Sequence, residues 1–144
     1  MALNARARCA WSLAALSFLG GCTGAPDKPA SMERLAECGW LPNCVNTQSG
    51  RGIQSSEPLA ANTGQWQELK SWIAQQEDWE ITIAGDNFVQ AVVKTPVMRF
   101  RDDVQLLFFP EAQLIQVRSS SRLGISDLGT NARRVETLRD QLAP

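Results

Sequence analysis

Between Trp79 and Ser119 the chain carries four short extended segments in succession, and this run constrains the fold more than any other feature. Trp79, Ile81 and Ile83 alternate with Glu80 and Thr82, which is the period of a strand with one buried face. Residues 84–87 (AGDN) have turn chemistry, and the valine-rich stretch 88–94 reads as the second strand of a hairpin. Pro96 interrupts the pattern, so a bend or bulge is expected before residues 97–100 resume an extended course. Residues 104–109 form the third strand, 110–113 a turn and 114–119 the fourth strand. Connections this short make neighbouring strands antiparallel.

A helix brackets this run at each end. Trp66, Leu69, Trp72 and Ile73 share one helical face within residues 65–76, with Asn62 or Thr63 available as N-cap. Two tryptophans on such a face read as core. Ala132, Val135, Leu138 and Leu142 share one face within residues 131–142, and Thr130 or Asn131 can cap that segment. The expected fold class is α+β. It comprises a four-stranded antiparallel sheet in the order helix-strand-strand-strand-strand-helix, with both helices on one face. Residues 38–61, broken by Gly39, Pro42, Gly50, Gly52 and Pro58, read as an irregular loop preceding it.

The first 21 residues read as a segment to be removed. Arg6 and Arg8 are their only charges, and residues 9–18 (CAWSLAALSF) are mostly apolar. That is the length of a signal-peptide core, well short of the roughly 20 residues a membrane-spanning helix needs. Leu19-Gly20-Gly21-Cys22 resembles a lipobox. The resemblance implies a diacylglyceryl group on the Cys22 thiol, cleavage before Cys22, and acylation of the new amine. Two acyl chains give stable anchoring, at about 0.8 kcal/mol per buried methylene. The alternative is an ordinary secretory signal cleaved after Gly20 or Gly21, leaving Cys22 a free thiol. Thr23, where Asp would favour inner-membrane retention, points to the outer membrane. The expected location is the cell envelope, lipid-anchored and facing the periplasm. Residues 22–30 read as a Pro- and Gly-containing tether and residues 31–144 as one globular domain.

Composition narrows the chemistry. The chain has no histidine and no tyrosine, which removes the usual general base, the commonest metal ligand and every Ser-His or Cys-His pair. Net charge is −1, or −3 without Arg6 and Arg8, with no basic stripe, so no nucleic-acid partner is indicated. Cys38 and Cys44, a close pair in an exported chain, suggest a disulfide pinning the irregular loop; two free thiols are the alternative. A zinc site would lack two further His or Cys ligands. No cofactor is implied.

Two segments carry a family resemblance. Residues 41–48 (LPNCVNTQ), the pair Asp102-Asp103 before Val104, and residues 118–134 (RSSSRLGISDLGTNARR) resemble signatures of the bacterial family called domain of unknown function 1499. Asn46 and Thr47 stand where that pattern usually has serines. The likeness runs from about Cys38 to Leu142 and implies an envelope protein or lipoprotein, with no assigned reaction.

The candidate binding residues lie at the junction between the fourth strand and the last helix: Arg118, Ser119, Ser121, Arg122, Asp127, Asn131 and Arg134. Arginine grips carboxylate or phosphate bidentately, and amides at a helix start assist. The reading is a non-catalytic binding or accessory module. Its partners would be the membrane, through the anchor, and either an envelope protein or an anionic lipid, glycan or peptide group. The competing structural reading pairs Arg118 or Arg122 with Asp102, Asp103 or Asp127. Asp102 and Asp103, expected at a turn tip, are weak candidates for a divalent cation. A hydrolase using the Ser/Arg/Asp junction is the alternative function, but none of Lys28, Lys70 and Lys94 sits in a Ser-Lys motif to serve as base. Mass spectrometry of membrane-extracted protein should find Cys22 at the N-terminus bearing a diacylglyceryl thioether, and Cys22→Ser should leave an uncleaved precursor. A free thiol on a cleaved chain would establish the ordinary signal instead.

Overall fold

The computed structural model describes residues 33–143. Strands β1 (Cys44–Asn46) and β2 (Leu59–Ala60) precede helix α1 (Thr63–Ala74). Strands β3 (Trp79–Ala84), β4 (Phe88–Lys94), β5 (Arg101–Phe109) and β6 (Leu114–Ser121) follow, then helix α2 (Thr130–Asp140). The signal segment, Cys22 and the tether to residue 30 lie outside the described residues.

The helices and the four-strand run match the expectation, but the sheet has six strands, all paired antiparallel. Its order is β1-β6-β5-β4-β3, and β2 also pairs with β6. The additional strands come from the stretch read as irregular loop. β1 pairs along residues 118–120 and β2 along 114–115, so together they line one edge of β6. Segments of three and two residues are too short to show an alternation. Their structure comes from the long strand they bind, not from their own pattern. Residues 33–36 contain no helix. The Leu35 N–H is instead held by Gln48 Oε1 at 2.7 Å.

Two further expectations change at the β4–β5 connection. Residues 97–100 do not run extended: Thr95 and Phe100 bond through their backbones, Thr95 Oγ1 accepts the Phe100 N–H at 2.9 Å, and Arg99 turns at φ 51°. β5 begins at Arg101, so Asp102 and Asp103 are not at a turn tip but inside a strand, 1% and 3% exposed.

Alternation along the strands divides the sheet into two unlike faces. One face presents Val89, Val93, Val104, Leu106, Phe108, Ile115 and Val117 to Trp66, Leu69 and Ile73 of α1 and to Val135 and Leu138 of α2. Trp66 stacks on Phe108 at 5.4 Å and donates Nε1–H to the Asp86 carbonyl at 2.7 Å, so its one polar atom is satisfied inside the core. The other face has an apolar end where Leu35 packs on Phe88 and Leu107. A Gln105–Gln90 side-chain hydrogen bond of 2.8 Å occupies its middle, and Asp103 and Arg118 its far end.

Capping follows one expectation and departs from another. Asn62 caps α1 through a reciprocal box with Gln65, each bond 3.0 Å. For α2 neither Thr130 nor Asn131 is the cap. Gly129 occupies that position at φ 78°, and the Asp127 carboxylate takes the free N–H groups of Gly129 and Asn131.

Cys38 and Cys44 are joined as a disulfide with a Cα separation of 5.7 Å, which ties the 39–43 loop to the start of β1. Reduction should lower the unfolding free energy by about 2 kcal/mol, the chain-entropy value for so short a loop. Denaturant titration with and without dithiothreitol measures this, and an unchanged midpoint would show that the β1–β6 pairing holds the loop alone.

Candidate functional site

β6 carries the junction, and its side chains alternate. Register with β5 sets Asp102 opposite Ser121, Asp103 opposite Ser120, Val104 opposite Ser119 and Gln105 opposite Arg118. Ser119 and Ser121 therefore point towards the helices, while Arg118, Ser120 and Arg122 point to the other face. The seven candidate residues fall into two groups on opposite sides of the sheet.

The group beneath α2 is densely hydrogen-bonded, although Asp102, Ser121, Asp127 and Arg134 also line a cavity of about 600 Å³ and Asp102 Oδ1 is buried with no hydrogen-bond partner among the described residues. Asn131, fully buried, accepts Ser119 Oγ–H at 2.6 Å and Arg134 Nη1–H at 2.8 Å on its Oδ1. Its Nδ2 donates to the Asn43 carbonyl at 2.9 Å and Asp127 Oδ2 at 2.7 Å, with Ser121 Oγ at 3.1 Å. Arg134 donates Nη1–H to Ser119 Oγ at 2.8 Å and Nη2–H to Asp102 Oδ2 at 2.7 Å, an ion pair with both side chains buried. Within this group Ser119 is fully buried, its hydroxyl donates to an amide oxygen, and no carboxylate or amine contacts it as a base. The serine is a strut between β6 and α2.

The group on the opposite face is not closed. Asp103 accepts both Nε–H (2.9 Å) and Nη2–H (2.7 Å) of Arg122, a bidentate pair at the end of β5. That hydrogen bonding raises the Arg122 pKa above its ordinary value, against an opposing effect of burial. Asp102 and Asp103 thus face opposite sides of the sheet and each meets its own arginine. Among the described residues no cluster of three or more His, Cys, Asp or Glu could hold a metal ion.

Arg118 stands apart. It is 8% exposed, and its Nε and Nη1 are buried with no hydrogen-bond partner among the described residues. Burial lowers its pKa below the ordinary guanidinium value, and the charge of Asp103, already held by Arg122, opposes that fall. A guanidinium stays charged in proteins, so this is a buried cation with donors unfilled, an arrangement that costs free energy unless something completes it. It lines a cavity of about 520 Å³ walled by Trp40, Leu41, Asn43, Ser120, Leu123 and Ile125.

Leu41 and Asn43 of the LPNCVNTQ segment form part of that cavity's wall, and side-chain hydrogen bonds fix the segment. Asn43 Nδ2 donates to the Gly124 carbonyl at 2.9 Å, and Asn46 Oδ1 accepts the N–H groups of Gln48 and Ser49. Thr47 Oγ1 bonds Gln116 Oε1 at 2.6 Å and accepts the Val117 N–H at 2.8 Å. Trp40, Asn43, Leu123 and Ile125 were not among the residues singled out from the sequence. The usable signal was the i, i+2 alternation from Leu114 through Arg122, which places Arg118, Ser120 and Arg122 together and Ser119 and Ser121 apart.

The family model described as a protein of unknown function, DUF1499, matches residues 34–142. No curated protein and no solved structure matches the chain. Arg134→Ala should destabilise the protein by about 3–5 kcal/mol, because Asp102 would be left charged and buried. Asn131→Ala should cost about 3 kcal/mol through the several polar groups it strands. Chemical denaturation reads both, and losses below about 1 kcal/mol would show that water replaces these bonds.

Proposed function

The chain belongs to the DUF1499 family, and we propose that it is a non-catalytic oxyanion-binding module of the cell envelope, held at a membrane through Cys22. The observation that carries the binding reading is Arg118, a guanidinium lining a cavity, whose Nε and Nη1 are enclosed with no hydrogen-bond partner among the described residues. A carboxylate or phosphate in that cavity would add negative charge beside it. Asp103 lines the same cavity and is held bidentately by Arg122, so one carboxylate there faces two guanidinium groups. The envelope assignment is supported by the Leu-Gly-Gly-Cys22 motif and by Thr23 after it. Among the described residues no helix is long and apolar enough to cross a membrane.

A binding arginine and a structural arginine respond oppositely to removal. Arg118→Met should raise the unfolding free energy by about 1–2 kcal/mol, since it deletes an unpaired buried charge and keeps the volume. A fall of that size would assign Arg118 to the architecture. Calorimetric titration with inorganic phosphate should give saturable binding to the wild-type chain, weakened at least tenfold in Arg118→Gln and unchanged in Arg133→Gln, at an exposed position on α2. Equal affinity in Arg118→Gln would overturn the reading.

A further inference from the structure

We propose that the oxyanion taken at Arg118 is the head of an amphiphile, a phosphate or carboxylate carried on an alkyl or acyl chain. The inference rests on the oxyanion reading and adds the chemistry of the rest of the ligand.

Size is the first argument. A cavity of about 520 Å³ falls within the roughly 300–1,000 Å³ range of small-molecule sites. A bare phosphate or acetate would fill a small part of it. The lining is mixed, with Trp40, Leu123 and Ile125, 90%, 59% and 76% exposed, as its large apolar side chains beside Asn43, Ser120 and the charged groups.

Placement is the second. Nine large apolar side chains are exposed among the described residues. Eight lie in loops at the end of the sheet where β4 and β6 finish and β1 and β5 begin: Trp40, Ile53, Val97, Met98, Phe100, Leu123, Ile125 and Leu128. Only Ile81 lies elsewhere, on β3. Trp40, Leu123 and Ile125 line the Arg118 cavity, while Val97, Met98, Phe100 and Leu128 line a separate one of about 600 Å³ beside the helices; three apolar side chains around one cavity are a surface an alkyl chain can cover.

Local charge is the third. Arg118 and Arg122 both line the cavity against the one carboxylate of Asp103, which Arg122 holds bidentately, so the lining carries an excess of positive charge for an anionic head. The head meets Arg118, and the chain lies along Leu123 and Ile125 towards Trp40.

The full chain, its fold checked by circular dichroism, is titrated with ethyl phosphate and with decyl phosphate below its micelle concentration, and likewise with acetate and decanoate. Wild type should bind the ten-carbon member of at least one pair tenfold or more tightly than the two-carbon member, and the pair with the larger gain identifies the head. Leu123→Ser/Ile125→Ser, at exposed loop positions, should reduce that gain to about twofold and leave the two-carbon anion unaffected. Arg118→Gln should weaken both members of the pair. Two-carbon and ten-carbon anions bound equally, and both through Arg118, would overturn the amphiphile inference and leave the oxyanion reading standing. A gain that persists in the double variant would likewise overturn it, placing the chain elsewhere. Affinities untouched by Arg118→Gln would overturn both readings.

Discussion

The side chain of Asn131 joins three segments far apart in sequence, and the rest of the site depends on it. It bonds Ser119 on β6, Arg134 one turn along α2, the Asn43 carbonyl ahead of β1 and the Asp127 carboxylate that caps the helix. Each partner is held by a second bond as well: Ser119 by Arg134, Arg134 by Asp102, and Asp127 by the N–H groups at the helix start. A buried polar network specifies one arrangement to the extent that its members are satisfied, and here Asp102 Oδ1 is the member left without a partner among the described residues. By locking α2 over the end of β6, this network turns Ser119 and Ser121 inward. Alternation then obliges Arg118, Ser120 and Arg122 to face the other way. The Arg118 cavity and the network beneath α2 are thus two consequences of one register.

That same coupling explains why the fold was more legible in the sequence than the site. The two helices and the four long strands declare themselves through their apolar periodicity, because each is long enough to repeat it. β1 and β2 cannot, since their regularity comes from the edge of β6. Asp102 and Asp103 mislead in a more specific way. Two adjacent carboxylates after a proline look like a solvated turn, and they tolerate burial in a strand only because Arg134 and Arg122 reach them from 32 and 19 residues away. No local pattern reports a partner at that distance.

The site divides along the same line. The arginines and serines of residues 118–122 are adjacent in sequence, so they read as one anion cradle until the strand is carried past Ser119. Continued to Ser121, it places successive residues on opposite faces. Of the pairings weighed for Arg118 and Arg122, the structure has Arg122 with Asp103, while Ser119, Asp127, Asn131 and Arg134 bond to one another and to Asp102. Among the described residues of the junction, Arg118 Nε and Nη1 and Asp102 Oδ1 are the buried atoms this bonding leaves without a partner.

An unpaired buried cation is a persistent penalty in the free protein, and such penalties are kept where a ligand relieves them. The surroundings of Arg118 keep it from being relieved internally. Asp103, the acid whose charge it feels, is held bidentately by Arg122, and β1 and the disulfide hold the 39–43 loop over the cavity. The loop that forms the wall is therefore covalently tied within seven residues and paired through Cys44 to Ser120, two residues beyond Arg118. A wall fixed in this way keeps the guanidinium from finding solvent or a partner by local rearrangement. The pocket is preorganised around the guanidinium, and preorganisation lowers the ordering cost of binding a charged group there.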